Sequence, residues 1–345
     1  YGSDTAPHKL LTFEQPEVLA GMRQRGVPIP AGKEDSVWRA IRAILTNAFQ
    51  ESGDRSGHNS LFLALSRGNH SCLPNAFRCD RNDGKGPRKD VLALRPVKAG
   101  EEITISYVTE EMLLEPRSCR LDNLRAWDVE CGCALCGSGG DPLRCFSCTK
   151  KGCKGAICAI GEHSLGACDV CSSTSPLPQA VLKAERRGIQ GWRRLEENPS
   201  LMALEPAFLP MLIESVSEEG LSPTHWILAK LHNLRCDYHR QTYAMMGDDA
   251  AHLQQALESA TAELRVWDHH LGGRLCRQRA WLKERCADLL CMLGKTGDAI
   301  PLYSKSLDEL QRIMHHENAH VQEARTKLHK AVSGSPDVRG ISILG

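Results

Sequence analysis

The sequence predicts an α+β fold in which short β-strands, a cysteine-rich middle and an all-helical C-terminal half follow one another. Three observations support it: between residues 60 and 108 the apolar runs are short and separated by Gly, Asn and Asp turns, ten of the 16 cysteines fall between Cys119 and Cys171, and from 177 to 333 apolar residues recur at helical spacing. A chain of 345 residues is long enough for two or three domains. Its 43 basic residues nearly cancel 42 acidic ones, so no broadly basic surface is available and direct nucleic-acid binding is not expected. No apolar run reaches the roughly 18 residues of a membrane span, and the first thirty residues lack a secretory pattern. The composition is ordinary for a globular chain. With neither pattern present a soluble intracellular protein is expected, nuclear or cytoplasmic with no dense Lys/Arg run to choose between them, and a monomer is the expected state. The chain begins with Tyr1 rather than Met, as a fragment of a longer protein would.

The first element is a helix over Ser36–Leu45, where Val37, Ile41, Ile44 and Leu45 share one face. The runs Leu61–Leu63, Val91–Leu94 and Ile103–Tyr107 read as short strands, and the polar stretch Asp80–Asp90 as a hairpin tip with a solvated basic face. In the C-terminal half, Leu253, Leu257, Ala260, Leu264, Trp267 and Leu271 form one apolar stripe. Leu282, Cys286, Leu289, Leu290 and Leu293 form another, ended by Gly294. Residues 289–303 read as helix, turn, helix with the spacing of a tetratricopeptide-type pair. Cys286 and Cys291 on these faces read as small buried apolar side chains.

Close C-x-x-C pairs without a secretory signal indicate thiolate metal ligands rather than disulfides. Cys145-x-x-Cys148 and Cys168-x-x-Cys171 have the spacing of a zinc ribbon, each pair giving two thiolates to one ion. Cys153 and Cys158 lie inside the ribbon loop and are either ligands or bystanders. Cys119, beside Arg117, Arg120 and Leu121 on an expected helix, is read as a free thiol.

The sharpest motifs are Ser66-Arg67-Gly68-Asn69-His70-Ser71-Cys72-Leu73-Pro74-Asn75, then Gly100-Glu101-Glu102-Ile103-Thr104-Ile105-Ser106-Tyr107, then Cys131-Gly132-Cys133-Ala134-Leu135-Cys136. In this order and spacing they resemble the SET domain of protein lysine methyltransferases, and in particular the SET and MYND domain (SMYD) family. The resemblance implies a partial, mostly-β SET core with a threaded pseudoknot over 1–130 and a post-SET zinc segment over 131–140; the ribbon read from cysteine spacing is an addition over 141–175, followed by a tetratricopeptide-like helical domain over 176–333 and a tail over 334–345. It implies S-adenosylmethionine as cofactor and a lysine-bearing protein or peptide as substrate, with two structural zinc ions.

By resemblance, the Tyr107 hydroxyl orients the substrate amine, and Asn69 and His70 hold the cofactor. Asn47 resembles a further cofactor contact and fits a helix C-cap equally well. Cys131, Cys133 and Cys136 supply three thiolates, and the family takes the fourth from the position of Cys72.

Three positions depart from the family pattern. The opening Gly-x-Gly strand pair and the MYND finger are absent, and Gly84-Lys85-Gly86 falls too late in the chain to replace that pair. Val129 stands where an aromatic ring stacks on adenine, and Gly68 stands where a bulky apolar residue precedes Asn-His. The alternative to an enzyme is therefore a catalytically degenerate module whose helical groove holds a partner peptide.

Overall fold

The computed structural model describes residues 14–50, 58–81, 88–125, 127–138, 140–161, 164–174, 178–247 and 249–334. The Gly84-Lys85-Gly86 turn and residues 335–345 of the expected tail lie outside the described residues. The chain divides into two compact units, one made of 1–108 and 118–132, the other of 109–117 and 133–345.

The first unit opens with helices α1 (Gln15–Gln24) and α2 (Glu34–Asn47). Glu34 and Asp35 sit in the first turn of α2, where carboxylates favour the positive end of the helix dipole. The apolar face predicted for this helix is only partly covered: Val37, Ile41 and Leu45 are half-buried and Ile44 is 49% exposed. Strands β1 (Ala48–Gln50) and β2 (Asn59–Leu61) pair antiparallel, as do β4 (Ala76–Asp80) and β5 (Lys89–Ala93). Between these pairs, β3 (Asn69–His70) runs parallel to β6 (Thr104–Ile105), with Asn69 opposite Thr104 and His70 opposite Ile105.

The sequence reading placed three strands here and missed β1, β3 and β4. β4 is obscured by Arg78, a charged residue that braces its neighbours. Its guanidinium donates to the Ser106 carbonyl at 2.9 Å and lies 4.9 Å from the Phe49 ring centroid. Leu65, Ala76 and Ile105 form a small buried cluster with Phe49, Phe62 and Tyr107 packed against it. Helix α3 (Arg117–Arg125) anchors its end through fully buried Leu124, and the chain then turns through Asp128 at φ 55°. That left-handed backbone is uncommon for a residue other than glycine, although aspartate tolerates it better than most.

The second unit begins its β-structure with β7 (Asp141–Ser147) and β8 (Ala156–Ala159), an antiparallel hairpin in which Cys145 pairs with Cys158. Helices α4 (Gln179–Glu197), α5 (Phe208–Glu218), α6 (Trp226–Met246), α7 (Ala250–Leu271), α8 (Arg277–Met292), α9 (Thr296–Ile313) and α10 (Ala319–Ser333) follow. The stripe on α7 is buried as expected at Leu253, Leu257, Ala260, Leu264 and Trp267. Asp249 caps α7 by accepting from the Ala251 N–H at 2.9 Å. The helix-turn-helix expected over 289–303 is present, with Gly294 at φ 75° closing α8 before α9 begins. Cys286 and Cys291 are buried in this packing.

One buried charged cluster ties the hairpin to the helices. Arg144 of β7 grips Glu185 of α4 with two bonds of 2.8 and 2.7 Å, and His225 Nε2 lies 3.2 Å from the same carboxylate. His225 Nδ1 accepts from the Ile227 N–H and so caps α6, which leaves Nε2 as the donor to Glu185. Burial pushes the Glu185 carboxyl up, but Arg144 and His225 outweigh it and hold the group down at about 2. Among the described residues no helix is long and apolar enough to cross a membrane.

Candidate functional site

The parallel pairing of β3 with β6 brings the Asn-His motif beside the strand that leads into Tyr107. The pairing continues past its last residues, because the Ser71 N–H donates to the Ile105 carbonyl at 3.0 Å. The Tyr107 N–H donates to His70 Nδ1 at 3.0 Å, which places the imidazole proton on Nε2, 3.3 Å from Cys72 Sγ. The Tyr107 hydroxyl donates to the Gly68 carbonyl at 2.8 Å. Burial raises the pKa of Tyr107 against the opposing pull of Arg78, so it is a hydroxyl rather than a phenolate at neutral pH.

The second half of each motif locks the first. Asn75 is 2% exposed; its amide donates to Glu101 Oε1 at 3.0 Å and to the Glu102 carbonyl at 2.8 Å, and its Oδ1 accepts from the Thr104 N–H at 2.8 Å. The Asn69 amide reaches Glu102 at 2.5 Å. Arg95, the Lys98 N–H and the Asn75 amide hold the Glu101 carboxyl at about 2, so Glu101 is a fixed anion in this frame. Asn75, Glu101 and Glu102 were not among the predicted site residues, yet they stand inside the two quoted motifs. Paired polar residues inside a strand motif were the available signal.

Gly68 causes little disturbance here. A methyl group on its Cα would meet the Leu65 carbonyl at 3.3 Å and the Ile105 side chain at 3.5 Å, so the bare position accommodates its neighbours closely. An aromatic ring does stand near the tyrosine, but it comes from Trp127 rather than from position 129: the Trp127 and Tyr107 ring centroids are 5.9 Å apart. Asn47, the last residue of α2, turns its amide back to the Ala43 carbonyl at 2.8 Å and to Thr46 Oγ1 at 2.9 Å.

Comparison with known proteins identifies this unit. The SET domain family model matches residues 19–108, a stretch that contains Asn69, His70 and Tyr107. The chain carries a SET domain. Over 108 residues it is 29% identical to a histone-lysine N-methyltransferase, ATXR2, of Arabidopsis thaliana, covering 31% of this chain and 22% of that protein. Over 152 residues it is 29% identical to the SET domain-containing protein SmydA-8, isoform B, of Drosophila melanogaster, covering 41% and 33%. A histone-lysine N-methyltransferase, SET5, of Meyerozyma guilliermondii is 41% identical over 78 residues, covering 22% and 15%. The chain thus spans a third or less of the length of these curated relatives.

Near the SET motif, Cys72 Sγ lies 3.9 Å from Cys131 Sγ. Cys133 and Cys136 belong to the second unit, in a turn closed by the Gly137 N–H on the Cys133 carbonyl at 2.8 Å.

The ribbon differs from its expected ligand set. Cys148, Cys168 and Cys171 come together with Cys153, their sulfurs all within 4.8 Å of one another, whereas Cys145 does not join them. Strand register explains the exchange: Cys145 and Cys158 are opposite each other on β7 and β8, with sulfurs 3.3 Å apart, while Cys148 and Cys153 sit in the connection between the strands. The four-thiol group has the local chemistry of metal-binding knuckles. The Lys150 N–H points at Cys148 Sγ at 3.5 Å and the Gly155 N–H at Cys153 Sγ at 3.4 Å, bonds that favour thiolates. The Ser173 hydroxyl and N–H likewise hold Cys171 down at about 6. At Cys153 the Gly155 N–H works in the same direction, but partial burial and the neighbouring thiols push it up to about 12, a crowding that a divalent cation relieves. Gly155 makes the cluster possible, since a Cβ there would sit 2.5 Å from Cys168 Sγ. Four sulfur donors and no carboxylate fit zinc, the cation expected from the sequence.

Proposed function

We propose that this chain is a protein lysine N-methyltransferase that uses S-adenosylmethionine. The observation that carries the reading is the Tyr107 hydroxyl, fixed at 2.8 Å on the Gly68 carbonyl beside Asn69 and His70. S-adenosylmethionine supplies an electrophilic methyl group on a sulfonium centre.

Tyr107 spends its only proton on Gly68, so its oxygen lone pairs remain to accept an N–H from the substrate lysine and aim the nitrogen lone pair. As a protonated phenol it orients the amine and does not deprotonate it. A lysine with an ordinary pKa near 10.4 therefore gives its proton to water before transfer. Asn69 is exposed and His70 and Tyr107 are half-buried, which leaves this edge open for a polar cofactor. Asn47 is the last residue of α2, whose C-cap is Ala48, and its amide donates to the Ala43 carbonyl.

The names of the Arabidopsis and Meyerozyma relatives point to histone lysines as one substrate class. Zinc at Cys148, Cys153, Cys168 and Cys171 fixes the ribbon, and Cys72 and Cys131, with Cys133 and Cys136 by sequence spacing, hold the post-SET ion. The helical region serves as a tetratricopeptide-like groove for a partner peptide.

The test is methyl transfer to histone peptides by the zinc-replete full chain and by Tyr107→Phe. The variant is expected to lose about 100-fold or more, within the range for a positioned hydroxyl, with its cofactor affinity by calorimetry retained. Equal rates for the two proteins, or peptide binding with no transfer by either, would favour the interaction module instead.

A further inference from the structure

Once the four-thiol cluster is assigned, Cys145 and Cys158 remain as a separate pair on the same hairpin, opposite each other in the register of β7 and β8. The Cys145 carbonyl accepts from the Ser222 N–H at 3.2 Å and the Cys158 carbonyl from the Gly166 N–H at 2.9 Å, so both carbonyls turn away from the partner strand. A facing pair of this kind is the narrow one of an antiparallel ladder, with Cα atoms ~4.5 Å apart and side chains on one face. That spacing falls within the ~4.4–6.8 Å that a disulfide spans. The sulfurs are already 3.3 Å apart, so closing to the ~2.05 Å of a bond takes side-chain rotation alone.

The two thiols are not equivalent. Cys145 is fully buried and donates to the Pro142 carbonyl at 2.6 Å, whereas Cys158 is half-buried. Cys158 is therefore the thiol that a small oxidant meets, and Cys145 stands behind it in the place of a resolving thiol.

We propose that Cys145 and Cys158 form an oxidation site for hydrogen peroxide, which joins them in a reversible disulfide. The Cys158 sulfur attacks one peroxide oxygen and the O–O bond breaks; Cys158 becomes a sulfenic acid, and its proton leaves with the displaced oxygen as water. The Cys145 sulfur then attacks the Cys158 sulfur. The S–S bond forms as the S–O bond breaks, and the Cys145 proton leaves with the hydroxyl as a second water. Both thiols are oxidised and the peroxide is reduced. The new bond fastens β7 to β8 without a cation, whereas Cys148, Cys153, Cys168 and Cys171 draw the same hairpin together by holding one. The inference stands independently of methyl transfer.

The test is brief exposure of the zinc-replete full chain to hydrogen peroxide, then alkylation under denaturing conditions and peptide mass spectrometry. The expected product is a Cys145–Cys158 linked peptide, lost again on treatment with dithiothreitol, while Cys148, Cys153, Cys168 and Cys171 are still alkylated. Cys145→Ser removes the resolving thiol and should leave Cys158 as a sulfenic acid captured by dimedone. Cys158→Ser should leave Cys145 fully alkylated. No linked peptide in the oxidised parent would overturn the site. So would links among the four clustered cysteines forming first while Cys145 and Cys158 are still alkylated.

Discussion

The two units hold their functional residues by different means. Around Tyr107 the strands are two residues long, the apolar cluster beneath them is small, and position is set by polar groups inside the motifs, above all Asn75. In the second unit long amphipathic helices bury a continuous core, and the polar cluster of Arg144, Glu185 and His225 is set into that core as a clasp. The difference teaches that the SET unit is specified by hydrogen-bond partners and the helical unit by burial. Equal chemical insults should therefore be felt differently in each.

The largest effect is expected where a charge is buried in the apolar unit. Glu185→Ala leaves Arg144 without its partner at a largely buried position and should cost about 3–5 kcal/mol in denaturant unfolding followed by helical circular dichroism. A cost under about 1 kcal/mol would mean the clasp is solvated and the comparison is wrong.

Acid should act on the same clasp in two stages. His225 has its pKa lowered by burial, so the unfolded chain takes up a proton first and stability falls as pH drops below the ordinary histidine value of about 6.5. The Glu185 pKa is depressed to about 2, so its contribution is complete above about 4.5 and is lost as pH falls from there toward 2. That second loss is on the order of 3 kcal/mol. Stability measured from pH 7 to 3 should show both stages, and Glu185→Gln should abolish the lower one.

A smaller global cost with a larger functional one is expected at Asn75. Asn75→Ala leaves the Thr104 N–H unpaired and should cost about 2 kcal/mol. It should reduce methyl transfer by more than that loss of folded protein explains, because β6 leads into Tyr107. Equal losses in stability and rate would show that this frame only folds the domain. The smallest effect is expected at Glu130, exposed and outside these bonds: Glu130→Ala should stay within about 0.5 kcal/mol and leave activity unchanged.

The helices were legible because burial repeats at a fixed spacing, as Leu253 through Trp267 show. The SET motif was legible as a string, so Tyr107, Asn69 and His70 could be named before their geometry was known. Two-residue strands such as β3 have no period to read, and Arg78 concealed β4 by placing a charge where alternation would show an apolar side chain. Spacing left Cys153 open as a ligand or a bystander because it reports which cysteines are near in sequence, whereas strand register decides which sulfurs lie together. The placement of Trp127 beside Tyr107 was not legible, because no motif carries it and only the turn at Asp128 brings it there.

The segment from Trp127 to Cys131 works as a ruler. One end lies beside the Tyr107 ring and the other beside the Cys72 sulfur, with the left-handed turn at Asp128 between them. What such a segment must preserve is its count of residues. Side chains at 129 and 130 can vary widely, whereas one residue added or removed there would pull the ring or the thiol out of place.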